Sequence, residues 1–291
     1  MVARPDLGRI RDRVDTFQQR RRWTAFPVAV LVKFGEDNSS NLAVVITYYA
    51  FLSVFPLLLA LTSVLGFVLA GHPSWRMHIE NSALKSLPLI KGSPLPHHGS
   101  VVVVVLGAIL ALYSGLGVAK AAQKAWNTVY CVERSDNPSW LDNNLRALRL
   151  VVAGGFGLIV TTLVAGTVAS GHAIGIPVGW WFTLAGVVVS IVGNTVVFVV
   201  VFRWLTVRKL TARDVLPGAA LAAAVFALLQ SVASAVISHK LRHVSSTYGS
   251  FGTVIVLLSW FYLQAQVLLV AAQVNVVKQD RYWPRSLREP K

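Results

Sequence analysis

The sequence predicts an all-α, polytopic membrane protein of six transmembrane helices, preceded by an N-terminal interfacial helix. Three observations carry that expectation. Six long apolar runs occupy more than half of the chain: Leu42–Ala70, Val101–Ala119, Leu150–Ser170, Val178–Leu205, Val215–Ser238 and Gly252–Val277. About twenty residues at helical rise cover the ~30 Å hydrocarbon core, and each run falls within the permitted length. None of the 12 Asp and Glu residues lies inside a run. Composition agrees, since the chain is 55% hydrophobic and 13% charged, against about 25% charged in soluble domains.

Residues 1–41 form a basic amphipathic, interfacial segment. Leu7, Ile10, Val14 and Phe17 fall at helical spacing, and Arg9, Arg11, Arg13, Arg20, Arg21 and Arg22 crowd the remaining positions. That pattern suits a helix in the cytoplasmic interface with its apolar side toward the acyl chains. Trp23–Phe34 is apolar but too short to cross, and Trp23, Phe26 and Pro27 read as interfacial. No signal peptide is expected, because a long, mostly polar stretch precedes the first run, which lacks a small-residue cleavage site. Residues 42–277 form the membrane domain, and residues 278–291 a basic tail. In the first external loop, Trp75, Ile79, Ala83, Leu84 and Leu87 suit a short amphipathic helix. The short link around His172–Gly179 makes spans three and four a tight hairpin. Thr211 and Asp214 have capping-box spacing at the start of span five, with Pro217 expected in its first turn.

Charge sets the orientation. Of 27 Lys and Arg residues, 22 fall on the side of the termini, the Lys120–Arg149 loop and the Thr206–Asp214 loop. Basic residues near span ends are retained in the cytoplasm, so both termini are expected inside, with Gly71–Ser100 and His239–Ser250 outside. The net charge of +15 then serves anionic inner-leaflet headgroups. No basic domain with interleaved aromatics points to nucleic acid.

Catalysis is not expected. Glu133, Asp136, Asp142 and Asp214 show no ligand spacing and no His partner for phosphodiester cleavage. There is no phosphate-binding Gly-x4-Gly-Lys-Ser/Thr loop and no cofactor motif. All seven histidines (His72, His78, His97, His98, His172, His239 and His243) fall outside in this topology without convergent zinc spacing, so no metal site is expected. The single Cys131 can form no internal disulfide.

Neutral polar residues within the spans line up. Ser259, Gln266 and Gln273 recur every seven residues with Tyr262 near the same face, Ser190 and Asn194 are one turn apart, and so are Gln230 and Ser234. Tyr49 and Ser53 repeat the spacing one turn before Pro56, whose missing N–H could loosen the first helix. Such groups need partners in hydrocarbon, so these faces are expected to point inward as a polar pathway or as interhelical hydrogen bonds. Tyr248, Gly249 and Gly252 are expected to form an external turn or gate above the last span. Without an intramembrane acid, Lys or His, no ion-coupling site is expected.

Three stretches resemble the YihY/virulence factor BrkB family, once labelled ribonuclease BN, and most closely its YhjD-like branch. They are Thr47-Tyr-Tyr-Ala-Phe-Leu-Ser-Val-Phe-Pro56, Arg213-Asp-Val-Leu-Pro-Gly-Ala219, and Tyr248-Gly-Ser-Phe-Gly252 leading to Ser259-Trp260 and Gln273-Val-Asn275. The chain departs from the family pattern at Ala271-Ala272-Gln273, where an amide replaces the usual acid. The resemblance implies a bacterial inner-membrane protein linked to envelope integrity, with transport or flipping of a lipid or lipid-linked envelope component. The alternative is a non-transporting scaffold for envelope machinery, in a homo-oligomer or with an envelope-synthesis partner. Small-residue runs such as Gly218–Ala224 permit either close packing within the chain or self-association.

Overall fold

The computed structural model describes residues 22–68, 101–133, 139–155 and 180–283, all of them helices and their connections. We number the helices α1 (Arg22–Glu36), α2 (Ser39–Val68), α3 (Val101–Val129), α4 (residues 140–155), α5 (Trp180–Leu205) and α6 (Ala212–Gln279). Among the described residues, four stretches are long and apolar enough to cross a membrane: Ser39–Val64, Val101–Val129, Ala212–Gln230 and Val254–Gln279. They match the expected first, second, fifth and sixth spans. The fourth run is helical from Trp180, while most of the third, the external amphipathic segment, the basic arm before Arg22 and the tail beyond Trp283 lie outside the described residues.

Several helices extend beyond their apolar runs. The run at Val101–Ala119 ends at Lys120, yet α3 continues ten residues to Val129. The added Ala-Lys-Gln-rich stretch has high helix propensity, and it buries Gln123, Trp126 and Val129 along one side. The expected Lys120–Arg149 loop is therefore helical at both ends, because α4 begins ten residues before Leu150. Ser139 starts it by receiving the Asp142 N–H on its hydroxyl.

Asn38, Cys131 and Arg281 adopt φ of 50°, 52° and 53°, each just beyond a helix end. Val132 donates to the Asn127 carbonyl and Tyr282 to that of Val277, closing the wrapped ends of α3 and α6. No glycine marks these stops, which hid those at Cys131 and Arg281 from a reading of turn residues.

Helix α6 corrects two expectations. Its backbone is helical through residues 248–252, where a turn was expected, and Gly252 is buried. Nothing in Tyr-Gly-Ser-Phe-Gly forbids helical angles, and two glycines three apart allow close backbone approach. Yet Gly218 and Asn275, 57 residues apart, are hydrogen-bonded. A straight helix would separate them by roughly 85 Å, so α6 doubles back into two antiparallel arms. Pro217 also sits in the second turn rather than the first, because Thr211 is the cap.

Paired contacts fix the relative levels of the helices. Gly107 approaches the Ala60 backbone and Gly117 the Tyr49 ring, so α3 runs antiparallel to α2. Phe26 meets Trp283 edge-on at 5.4 Å, Val30 clusters with Val277, and Asp37 reaches Gln273. Helix α1 therefore climbs antiparallel along the last three turns of α6 instead of lying across its end. Nearly all fully buried side chains gather at this level, from Ala119 to Tyr130, Phe202 to Leu210, Val215 to Ala223 and Ala265 to Val277. This end of the bundle holds its packed core.

Candidate functional site

Six helix ends meet there: the end of α1, the starts of α2 and of the first arm of α6, and the ends of α3, α5 and the second arm of α6. Among them are the ends that flank the Lys120–Arg149 and Thr206–Asp214 loops, which the basic bias assigns to a common side.

The first part of the site is a buried polar cluster. The Lys33 ammonium lies 2.6 Å from Asp37 Oδ2, one turn on, with side-chain exposures of 4% and 15%. Gln273 Nε2 donates to Asp37 Oδ2 at 2.7 Å and to Ser39 Oγ at 3.1 Å. Asp37 therefore supplies the carboxylate beside position 273, where the sequence has an amide. Lys33 also approaches Cys131 Sγ at 3.8 Å and the Tyr282 ring at 6.0 Å. Gln273 Oε1 is buried without a partner. The amide orientation is set by Asp37, since rotating it would turn an oxygen toward a carboxylate.

The second part links the two arms of α6. Asn275 Oδ1 accepts the Gly218 N–H at 2.7 Å. A Cβ at Gly218 would run into the Ala271 carbonyl oxygen and come within 2.6 Å of the Asn275 amide. Pro217, with no N–H of its own, marks where this arm departs from ordinary helical bonding. Glycine is required here for proximity rather than for a special φ.

Tyr130, one residue beyond α3, sits beside Asn275, and burial pushes its phenol up from 10.0 to about 12. Neither Tyr130 Oη nor Asn275 Nδ2 completes a hydrogen bond. The phenol stays neutral in the folded protein where an unfolded chain would ionise. Stability from this group is therefore present below pH 10 and lost as pH rises toward 12. Tyr130→Phe should flatten that alkaline loss in a thermal-unfolding series; an unchanged slope would assign it to other groups.

The loop after α5 is bound in from both sides. Asn127 Oδ1 accepts the Val207 N–H at 3.1 Å, and Arg203 Nε donates to the Leu210 carbonyl at 2.9 Å. Arg208 makes a two-pronged contact with Asp280, at 2.9 and 3.2 Å, which with burial opposing it raises the guanidinium pKa. Asp214 closes the expected cap, accepting both the Thr211 N–H and hydroxyl at 2.8 and 2.7 Å.

The polar pathway residues do not share one environment. Gln273 is in the cluster. Along the same seven-residue row Gln266 is half-buried and Ser259 exposed, with Tyr262 half-buried nearby. Ser190 and Gln230 are exposed, and Asn194 is half-buried. Tyr49 is exposed with its ring against Gly117, Ser53 donates to the Ala50 carbonyl at 2.7 Å, and Pro56 lies inside an unbroken α2. Ser234, Tyr248 and Gly249 lie on helical backbone whose side chains are outside the description. Inward orientation was expected of these faces, but the exposed members look outward. Among the described residues, no three His, Cys, Asp or Glu side chains gather to hold a metal ion.

Lys33, Asp37, Ser39, Asn127, Arg208 and Asp280 were not singled out from the sequence. The usable signal was the polar Glu36–Asn41 break between two apolar stretches, with Lys33 and Asp37 one turn apart across it.

The chain is 26% identical over 261 residues to the ribonuclease-like protein YfkH of Bacillus subtilis, covering 85% of this chain and 91% of that protein. It is 24% identical over 274 residues to the inner membrane protein YhjD of Escherichia coli, covering 87% and 81%. No solved structure matches. The description of the virulence factor BrkB family fits residues 30–291, which include the cluster and both arms of α6, and this multi-pass membrane protein belongs to that family.

Proposed function

We propose that the chain is a six-span bacterial inner-membrane protein, with both termini cytoplasmic, that moves a lipid or lipid-linked envelope component between leaflets. One observation carries the reading. Tyr49, Gln230 and Ser259 are exposed on helices long and apolar enough to cross a membrane, and Ser190 is exposed on a shorter apolar stretch. Uncharged polar groups on such a surface are costly in hydrocarbon and suit the passage of a headgroup whose tails remain in the membrane. The name of the relative YhjD supports the location, and anionic inner-leaflet lipids suit the basic arm and tail. The reading includes no chemical step, metal or cofactor.

Vesicles reconstituted with the protein should move labelled lipids across the bilayer faster than empty vesicles. The double change Gln266→Leu and Gln273→Leu should slow that movement while leaving a folded bundle. Movement equal to empty vesicles across several lipid classes would favour the scaffold reading, as would recovery of a stable envelope-synthesis partner by cross-linking.

Topology has its own test. With Cys131 replaced, an impermeant thiol reagent applied outside should modify a cysteine placed at His97 and spare one at Arg285. The reverse pattern would put 22 basic residues outside, against the retention rule.

A further inference from the structure

We propose that α1 is a movable strap that covers Gln273, latched by the Lys33–Asp37–Ser39–Gln273 cluster. The inference builds on the reading above, since Gln273 belongs to the pathway, but the strap can be tested without lipid movement. Its apolar hold on the bundle is small. Ala29 and Val30 join Val277 in a cluster of three buried residues, fringed by Phe26, Val270, Val274 and Trp283, and Phe34 alone of the strap packs against the main core. The rest of the hold is the buried Ala25 and the polar cluster, whose groups can be satisfied by water once uncovered. Gln273 Oε1 is already without a partner under the strap. Opening would hydrate that oxygen and recover part of its desolvation cost, so closed and open positions can lie close in free energy.

The other groups facing the latch do not replace it. Cys131 is a weak acceptor for Lys33, the Tyr282 ring stands 6.0 Å from the ammonium, and Asp280 is engaged by Arg208. A hydrogen-bonded contact that crosses from the strap's end to the last span is the amide of Gln273 on Asp37 and Ser39.

The experiment uses the full chain in lipid nanodiscs with Cys131→Ser and a water-soluble maleimide. Val30→Cys reports the strap's inner face, 5% exposed, and Leu31→Cys its outer face, 66% exposed. The Val30→Cys thiol should react measurably but more slowly than the Leu31→Cys thiol. Adding Gln273→Leu, which spares the Lys33–Asp37 pair, should speed it roughly tenfold, as expected for losing a hydrogen bond to a charged group. Ser39→Ala, a milder change, should speed it less. Complete protection of Val30→Cys in all backgrounds would make α1 a fixed element and overturn the proposal. Equal rates with and without the Gln273 amide, or parent labelling as fast as at Leu31→Cys, would overturn it too. Thermal midpoints of the variants identify any rate change that comes from general unfolding, and a rate rise explained that way also counts against the strap.

Discussion

Gly218→Ala is expected to destabilise the protein by about 3 kcal/mol, combining an overpacked contact with a broken buried hydrogen bond. The added methyl would occupy the space of the Ala271 carbonyl oxygen and the Asn275 amide. Both are held by helix packing, so neither can retreat without separating the arms of α6. As they part, the Gly218 N–H loses Asn275 Oδ1 in a dry environment. At roughly 2–4 °C per kcal/mol for a chain somewhat smaller than this, the thermal midpoint should fall by about 6–12 °C. Gly154→Ala is the matched control: nothing lies within 4 Å of its added methyl. There the better helix propensity of alanine, up to ~1 kcal/mol, should leave stability unchanged or raised. Equal midpoints for the two variants would mean that the arms do not meet as described.

Asp37→Ala should destabilise the closed position of α1 by about 3–5 kcal/mol, because it leaves the Lys33 ammonium buried without its counter-charge for as long as α1 stays in place. It also removes an acceptor from Gln273. The pair is not expected to be strongly stabilising in itself, since desolvation offsets much of the attraction. The test is therefore a comparison. Combining Lys33→Met with Asp37→Leu should recover most of the midpoint lost in Asp37→Ala, as an apolar pair replaces a charge left alone. If the double variant is as unstable as the single one, the penalty does not come from the orphaned lysine, and the cluster's role must lie in the hydrogen bonds of Gln273 and Ser39.

The membrane class was legible because it rests on local chemistry summed over windows. Runs of Val, Leu and Ala without acids have one economical environment wherever they sit in the chain. The start of α6 was equally legible, since Thr211 and Asp214 are three residues apart and form their cap within one turn. Helix ends were less so. Residues 120–129 are polar enough to read as a loop, but one side of them is buried by α5 and α6, and that burial extends α3. The wrapped stops at Cys131 and Arg281 use residues that carry no turn signature, whereas Asn38 is a residue type that favours such a stop.

The seven-residue row of Ser259, Gln266 and Gln273 shows the limit of periodicity. Spacing places residues on a common helix face, but it does not say what stands opposite at each level. Gln273 meets Asp37 and Ser39, whereas Ser259 meets no such cover. The sequence by itself determined that this is a helical membrane protein and which face of each helix carries polar groups, because hydropathy and helical period act over neighbouring residues. Tertiary structure alone decided that Asp37 serves Gln273 across 236 positions and that Gly218 must be small for Asn275, 57 positions away. Those contacts depend on how helix ends converge and how α6 folds back, and no local property of the chain encodes a distance between segments so far apart.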